Sequence, residues 1–312
     1  MIRSVQFDLT TACSQHCFMC RQYAWKKKEI DLDFLKSKIE EYLNENPNCT
    51  FTFSGGDPLS YSKLKELNEF LKKKKVVHYQ VFTNLDYDIS AKHIEEFLNL
   101  AEYVQVSMDG SDFLHYAHVR RSDLYGAPEK LIGYSKRYSR IISNIFSLKS
   151  KVKLNMTVSN RNYHDVLGVY CRFKDCENVV GIRFFPVHTD ENAFLEKEMF
   201  DMIENQLDII KCIDKNGVTN ANSFELKPRE SYEGKCFIKK EHRVFDANGL
   251  EYPCCRATND NGEEWFGMYS VEKLKGLNDE KVLYDFCSEC DRYRKFNEDY
   301  ENKVNKKEVA YL

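Results

Sequence analysis

Cys13-Ser14-Gln15-His16-Cys17-Phe18-Met19-Cys20 follows directly on the β-prone run Val5 to Leu9 and sets three thiols within eight residues. A loop at the end of a strand can wrap such closely spaced sulfurs around one metal centre. Soft thiolates select zinc or iron-sulfur clusters. A closed zinc site wants a fourth ligand, for which His16 is the local candidate. A four-iron cubane held by three thiolates would keep one iron open to a small molecule.

Outward from this loop, short β-rich runs alternate with helical patterns. Strands are expected at Val5 to Leu9, Cys49 to Ser54, Val76 to Thr83, Tyr103 to Met108, Val152 to Val158 and Gly181 to Val187. Between them, Leu32, Leu35, Ile39 and Leu43 recur at the helical period, as do Leu64, Leu67 and Leu71, and Ile94, Phe97, Leu98 and Ala101. Further helical patterns cover Lys130 to Leu148, His164 to Cys176 and Glu196 to Cys212. Six β-α steps of this kind make a parallel sheet, wound by right-handed crossovers into a barrel or an open sheet with its functional loops at the strand C-terminal ends. From about Asn216 the alternation stops, and Val244 to Tyr252 reads as a hairpin turning at Asn248-Gly249. A second module is expected there, dividing the chain into 1–215 and 216–312.

The 312 residues carry 46 basic and 49 acidic side chains, a formal charge of −3, and 12 cysteines. The near balance of charge calls for neither nucleic acid nor an anionic membrane, and no apolar run reaches membrane-spanning length. Met1-Ile2-Arg3-Ser4 leads into a strand pattern without a signal segment, so the expected compartment is the cytoplasm. In that reducing setting clustered cysteines point to metal ligands or redox chemistry rather than disulfides.

Several segments then resemble the radical S-adenosylmethionine (SAM) enzymes, whose hallmark is CxxxCxxC after the first strand of a partial (β/α)6 TIM-like barrel. Ser54-Gly55-Gly56-Asp57-Pro58 resembles the family's GGEP segment, with Asp57 in place of Glu. Two glycines let the backbone approach a ligand closely. Thr83-Asn84 and Ser107-Met108-Asp109-Gly110 are similar to the family's TNG and S(L/I)DG segments, each at a strand end. His118-Val119-Arg120 resembles the stretch that supplies an arginine to the SAM carboxylate, a task suited to a planar guanidinium; Arg121 is a second claimant. The resemblance places Asn155 near the ribose. It implies a [4Fe-4S] cluster on Cys13, Cys17 and Cys20, with SAM bound by Gly55, Gly56, Asp57, Thr83, Asn84, Ser107, Asp109, Arg120 and Asn155. One departure bears on adenine stacking: Met19 stands where the family usually has an aromatic residue.

A second cysteine set lies downstream. Cys236, Gly249 and Cys254 form Cx12Gx4C, and Cys287-Ser288-Glu289-Cys290 follows. This resembles the twitch domain, the short form of the SPASM extension, and implies one auxiliary [4Fe-4S] cluster on Cys236, Cys254, Cys287 and Cys290. A four-thiolate zinc ribbon is the structural alternative. Cys255 adjoins Cys254 and is either a spare ligand, a hydrogen-atom donor or a small core residue. Cys49, Cys171, Cys176 and Cys212 fall in strand or helix patterns and read as buried apolar residues.

The resemblance implies reductive cleavage of SAM to a 5′-deoxyadenosyl radical that abstracts a substrate hydrogen, with a flavodoxin- or ferredoxin-type electron donor. The barrel pattern begins at residue 5, without the leader-binding module common in peptide-modifying relatives. The expected reaction is therefore oxidation of a sugar-like or other small polar substrate. Peptide epimerisation or cross-linking is the alternative, and a non-catalytic iron-sulfur or zinc protein is the alternative of another class.

Overall fold

In the computed structural model, which describes residues 2–20, 27–121, 128–187, 195–221 and 238–252, the expected alternation is present. β1 (Ser4–Thr10) leads through the cysteine loop to α1 (Leu32–Glu45). Then follow β2 (Thr50–Gly55), α2 (Leu64–Lys74), β3 (Tyr79–Thr83), α3 (Lys92–Asn99), β4 (Tyr103–Ser107), α4 (Phe113–Arg120) and α5 (Pro128–Ser147). The series continues with β5 (Val152–Val158), α6 (Val166–Phe173), β6 (Val179–Pro186) and α7 (Lys197–Ile213), and then α8 (Ile238–Glu241), β7 (His242–Phe245) and β8 (Glu251–Tyr252).

The strands lie in the order β6-β5-β4-β3-β2-β1-β7-β8, an open rather than closed sheet. β3 to β6 run parallel, as do β1 and β7, while β7 and β8 are antiparallel. This is the α/β, partial-barrel architecture expected. Beyond shifts of one or two residues at strand ends, two differences stand out. The third strand starts at Tyr79 rather than Val76, because the α2 terminus ends in a left-handed cap at Lys75, φ 55°. The helix at Phe113–Arg120 was not expected. Its start is signalled by Asp112, whose carboxylate caps the amides of Leu114 and His115.

Two compact units divide the chain, one of 1–8, 30–51 and 227–312, the other of 9–29 and 52–226. In the first, Phe7 stacks between Phe51 at 6.2 Å and Phe245 at 5.2 Å, and Phe34 meets Phe245 edge-on at 5.8 Å. α1 buries Leu32, Leu35, Ile39 and Tyr42 against this core after an N-cap from Asp31. The turn between β7 and β8 places Gly249 at φ +79°, in close contact with the Phe34 ring. The sequence reading of a hairpin at Asn248-Gly249 is therefore met, and β7 also pairs in parallel with β1.

In the second unit, β5 shows how the sheet is covered. Val152, Leu154, Met156 and Val158 are buried, whereas Lys153, Asn155 and Thr157 between them are half-buried. On that second face, side-chain amides form a ladder across four strands. Asn155 donates to Gln105 at 2.9 Å, Gln105 to Gln80 at 2.7 Å, and Gln80 to Thr52 at 2.8 Å. No helix among the described residues is long and apolar enough to cross a membrane.

Candidate SAM and iron-sulfur site

The cysteine loop is tied down from three directions. At the end of β2, the amides of Gly56 and Asp57 donate to the carbonyls of Thr10 at 2.6 Å and Ala12 at 2.8 Å. At the end of α4, the carbonyls of Arg120 and Val119 accept from the amides of His16 at 3.1 Å and Phe18 at 3.2 Å. Those carbonyls are orphans of the helix terminus. From α5, Tyr134 donates to Gln15 at 2.8 Å, and Gln15 donates to Asp86 at 2.9 Å; Asp86 in turn pairs with Arg137 and Arg140. Arg137 also donates to the Ser14 carbonyl at 3.2 Å.

The glycine pair makes room within the chain itself. A Cβ on Gly56 would lie 2.5 Å from the carbonyl oxygens of Ala12 and Thr11, and one on Gly55, whose φ is +121°, would collide with the Thr10 carbonyl. The space freed by the missing side chains is filled by the protein's own cysteine loop.

Asp57 is 1% exposed, and burial pushes its carboxyl up to about 7, against donors from Asn84, Leu59 and Thr83. Its oxygens accept the Leu59 amide at 3.0 Å, the Asn84 amide at 2.8 Å and the Thr83 hydroxyl at 2.9 Å. It thereby locks the end of β3, and Asn84 there turns its side-chain amide onto the Cys13 sulfur at 3.4 Å. The Gln15 amide approaches the same sulfur at 3.4 Å. Asp57→Asn puts an NH2 where a donor must be accepted, so a loss of about 1–3 kcal/mol is expected in urea unfolding.

Asp109, fully buried, accepts the Thr157 amide at 2.7 Å and is paired with Arg120. Burial opposes the Arg120 charge, but Asp109 and the Cys17 sulfur beside it more than offset this, and the guanidinium is held well above its usual range. The Arg120 charge bears on the Cys17 thiol and opposes the upward push of burial. Arg121 instead lies over the Tyr134 ring at 5.1 Å. Ser107 stands opposite Asn155 in the β4–β5 register.

The three thiols are close enough that each of Cys17 and Cys20 raises the pKa of Cys13, after the larger effect of burial; burial likewise pushes Cys17 up to about 12. A polynuclear cluster takes each thiolate on a different iron, and three thiolates without a fourth ligand leave one iron open. Three soft thiolates on one loop are a donor set that fits an iron-sulfur cluster, and hydrogen bonds are already aimed at the Cys13 sulfur. The side-chain oxygen of Asn155 and the hydroxyl of Tyr116 are buried with no hydrogen-bond partner among the described residues.

The sequence profile described as the radical SAM superfamily matches residues 7–167, more than half of the chain. The chain belongs to the radical SAM superfamily. Streptococcus suis SuiB, solved with S-adenosylmethionine, superposes with TM-score 0.61 at 14% identity, over 95% of this chain and 68% of that one. The enzyme anSMEcpe, solved with AdoMet and a peptide, gives TM-score 0.60 at 18% identity, over 93% and 87%. At these identities the likeness shows the fold alone. No curated protein matches the chain significantly.

Within this radical SAM fold the structure brings together Cys13, Cys17, Cys20, Gly55, Gly56, Asp57, Thr83, Asn84, Asp109 and Arg120 around one loop, with Asn155 and Ser107 on neighbouring strands. Cys236, Cys254, Cys255, Cys287 and Cys290 lie outside the described residues. Sequence reasoning passed over Gln15, Asp86 and Tyr134, whose joint role depends on a side-chain chain spanning 119 residues of sequence. It also passed over Phe18: Arg161 lies over its ring at 3.8 Å, one position before the place where the family carries its aromatic.

Proposed function

We propose that the protein is a radical SAM enzyme in which Cys13, Cys17 and Cys20 hold a [4Fe-4S] cluster and SAM binds beside it. The observation that carries this reading is the convergence of the β2, β3 and α4 termini on the cysteine loop. When bound, the cluster and SAM supply a one-electron cleavage that yields methionine and a hydrogen-abstracting 5′-deoxyadenosyl radical. The chain's own residues set the conditions. Asn84 and Gln15 place donors on the Cys13 sulfur, and Arg120 offers a buried cation for the methionine carboxylate while Asp109 fixes its orientation. Asn155 has an acceptor ready for a ribose hydroxyl.

The proposed reaction is oxidation of a sugar-like or other small polar substrate on the face lined by Gln80, Gln105 and Asn155. Residues 216–312 are proposed to form a twitch-type domain whose Cys236, Cys254, Cys287 and Cys290 hold one auxiliary [4Fe-4S] cluster, an electron sink for that oxidation. The electron donor is of flavodoxin or ferredoxin type. A peptide substrate is the second reading. It is favoured by the fold relatives, SuiB having been solved with its precursor peptide and anSMEcpe with a peptide.

Anaerobic reconstitution tests the assignment of clusters: about eight irons per chain are expected, and about four would remove the auxiliary cluster. Turnover in deuterated water separates the two reaction types. Loss of two hydrogens marks oxidation, and solvent deuterium in a product of unchanged composition marks epimerisation.

A further inference from the structure

α4 turns a second polar side chain toward the cysteine loop. Tyr116 precedes Arg120 by four residues and so shares its helix face, and the Arg120 guanidinium lies 6.0 Å from the Tyr116 ring. Tyr116 is fully buried, packed with Tyr134 at 6.3 Å and Tyr138 at 5.3 Å. The other two hydroxyls of this trio are satisfied: Tyr134 donates to Gln15 at 2.8 Å and Tyr138 to the Ser111 carbonyl at 2.7 Å. The Tyr116 hydroxyl alone of the three has no partner among the described residues.

A buried hydroxyl without a partner is a standing cost that phenylalanine would avoid while filling the same space. Its surroundings say where the missing partner belongs. One turn further along α4, the carbonyls of Arg120 and Val119 hold the amides of His16 and Phe18 on either side of Cys17, so the helix face that carries Tyr116 and Arg120 ends at the Cys17 side of the site.

We propose that Tyr116 is a positioning residue whose phenol donates a hydrogen bond to an anionic acceptor of the group held at Cys17, either a cluster sulfur or the SAM carboxylate. The inference rests on the radical SAM reading above. Tyr116 donates alongside Arg120, giving the acceptor one charged and one neutral donor from successive turns of one helix.

The test compares Tyr116→Phe with the unaltered chain, first without cofactors and then after anaerobic loading with iron and sulfide. In the cofactor-free protein the melting temperature should stay equal or rise, because no protein hydrogen bond is lost. After loading, iron uptake should be retained. A sulfur acceptor predicts a more negative midpoint potential without SAM, since a donor that stabilises the reduced cluster has gone. A carboxylate acceptor predicts an unchanged potential and roughly tenfold weaker SAM binding by equilibrium dialysis. A melting temperature lowered by several degrees, or a loaded variant equal to the unaltered chain in both potential and SAM affinity, overturns the proposal. If the unaltered chain takes up no iron or binds no SAM, the radical SAM reading itself falls.

Discussion

Cys17→Ala is expected to lose about four irons per chain after reconstitution and to bring 5′-deoxyadenosine formation under dithionite below detection, a fall of at least about a thousandfold. The loss should be this complete because the three thiols share one short loop with no replacement nearby. His16, the local alternative donor, is exposed. The fold should survive, since the loop is held by backbone hydrogen bonds of His16 and Phe18 to α4 and of Gly56 and Asp57 to its own carbonyls. Cys49→Ala is the matching control. Cys49 is also buried, in the other compact unit, and its loss should leave iron content and 5′-deoxyadenosine unchanged. Chromatographic detection of 5′-deoxyadenosine together with iron counting reads both variants; normal turnover by Cys17→Ala would refute the assignment.

Gly55→Ala should have the largest effect on folding. Its φ of +121° is a conformation that side-chain-bearing residues rarely adopt, and the new Cβ would run into the Thr10 carbonyl while lying 3.2 Å from two further backbone nitrogens. None of these is the end of a flexible side chain that can move aside. Strain and overpacking together should cost about 3–5 kcal/mol, enough to unfold a marginal domain or drive it into inclusion bodies. Gly133→Ala is a suitable comparison, because a Cβ there meets nothing within 4 Å and a helix interior prefers alanine. It should raise stability by up to about 1 kcal/mol. A soluble Gly55→Ala with unaltered urea midpoint would show that the β1 and β2 ends are not packed as described.

Much of this protein was legible in one dimension. Local chemistry writes local structure: the period-3.6 stripe of Leu32, Leu35 and Ile39 and the glycine turn at Gly249 each depend on neighbours a few residues away. The order of β and α elements, and hence the parallel sheet with its loops at one end, followed from the same patterns. Cys13, Cys17 and Cys20 were identifiable because their spacing alone restricts the centres they can serve. The short helix α4 escaped, since its apolar residues cluster on no single face and its start rests on one capping aspartate.

What the tertiary structure decided is the division of labour among these residues. Spacing could not show that Gly55 and Gly56 make room for the cysteine loop itself, or that Asp57 pins Thr83 and Asn84. Nor could it show that Asp109 and Arg120 form a buried pair against Cys17. Such roles rest on contacts between segments tens of residues apart, where the driving force is the need of a buried polar group for a partner. The sequence by itself determined the element order and the spacing of the three thiols. Packing determined which polar groups find partners within the chain and left the hydroxyl of Tyr116 and the side-chain oxygen of Asn155 without one among the described residues.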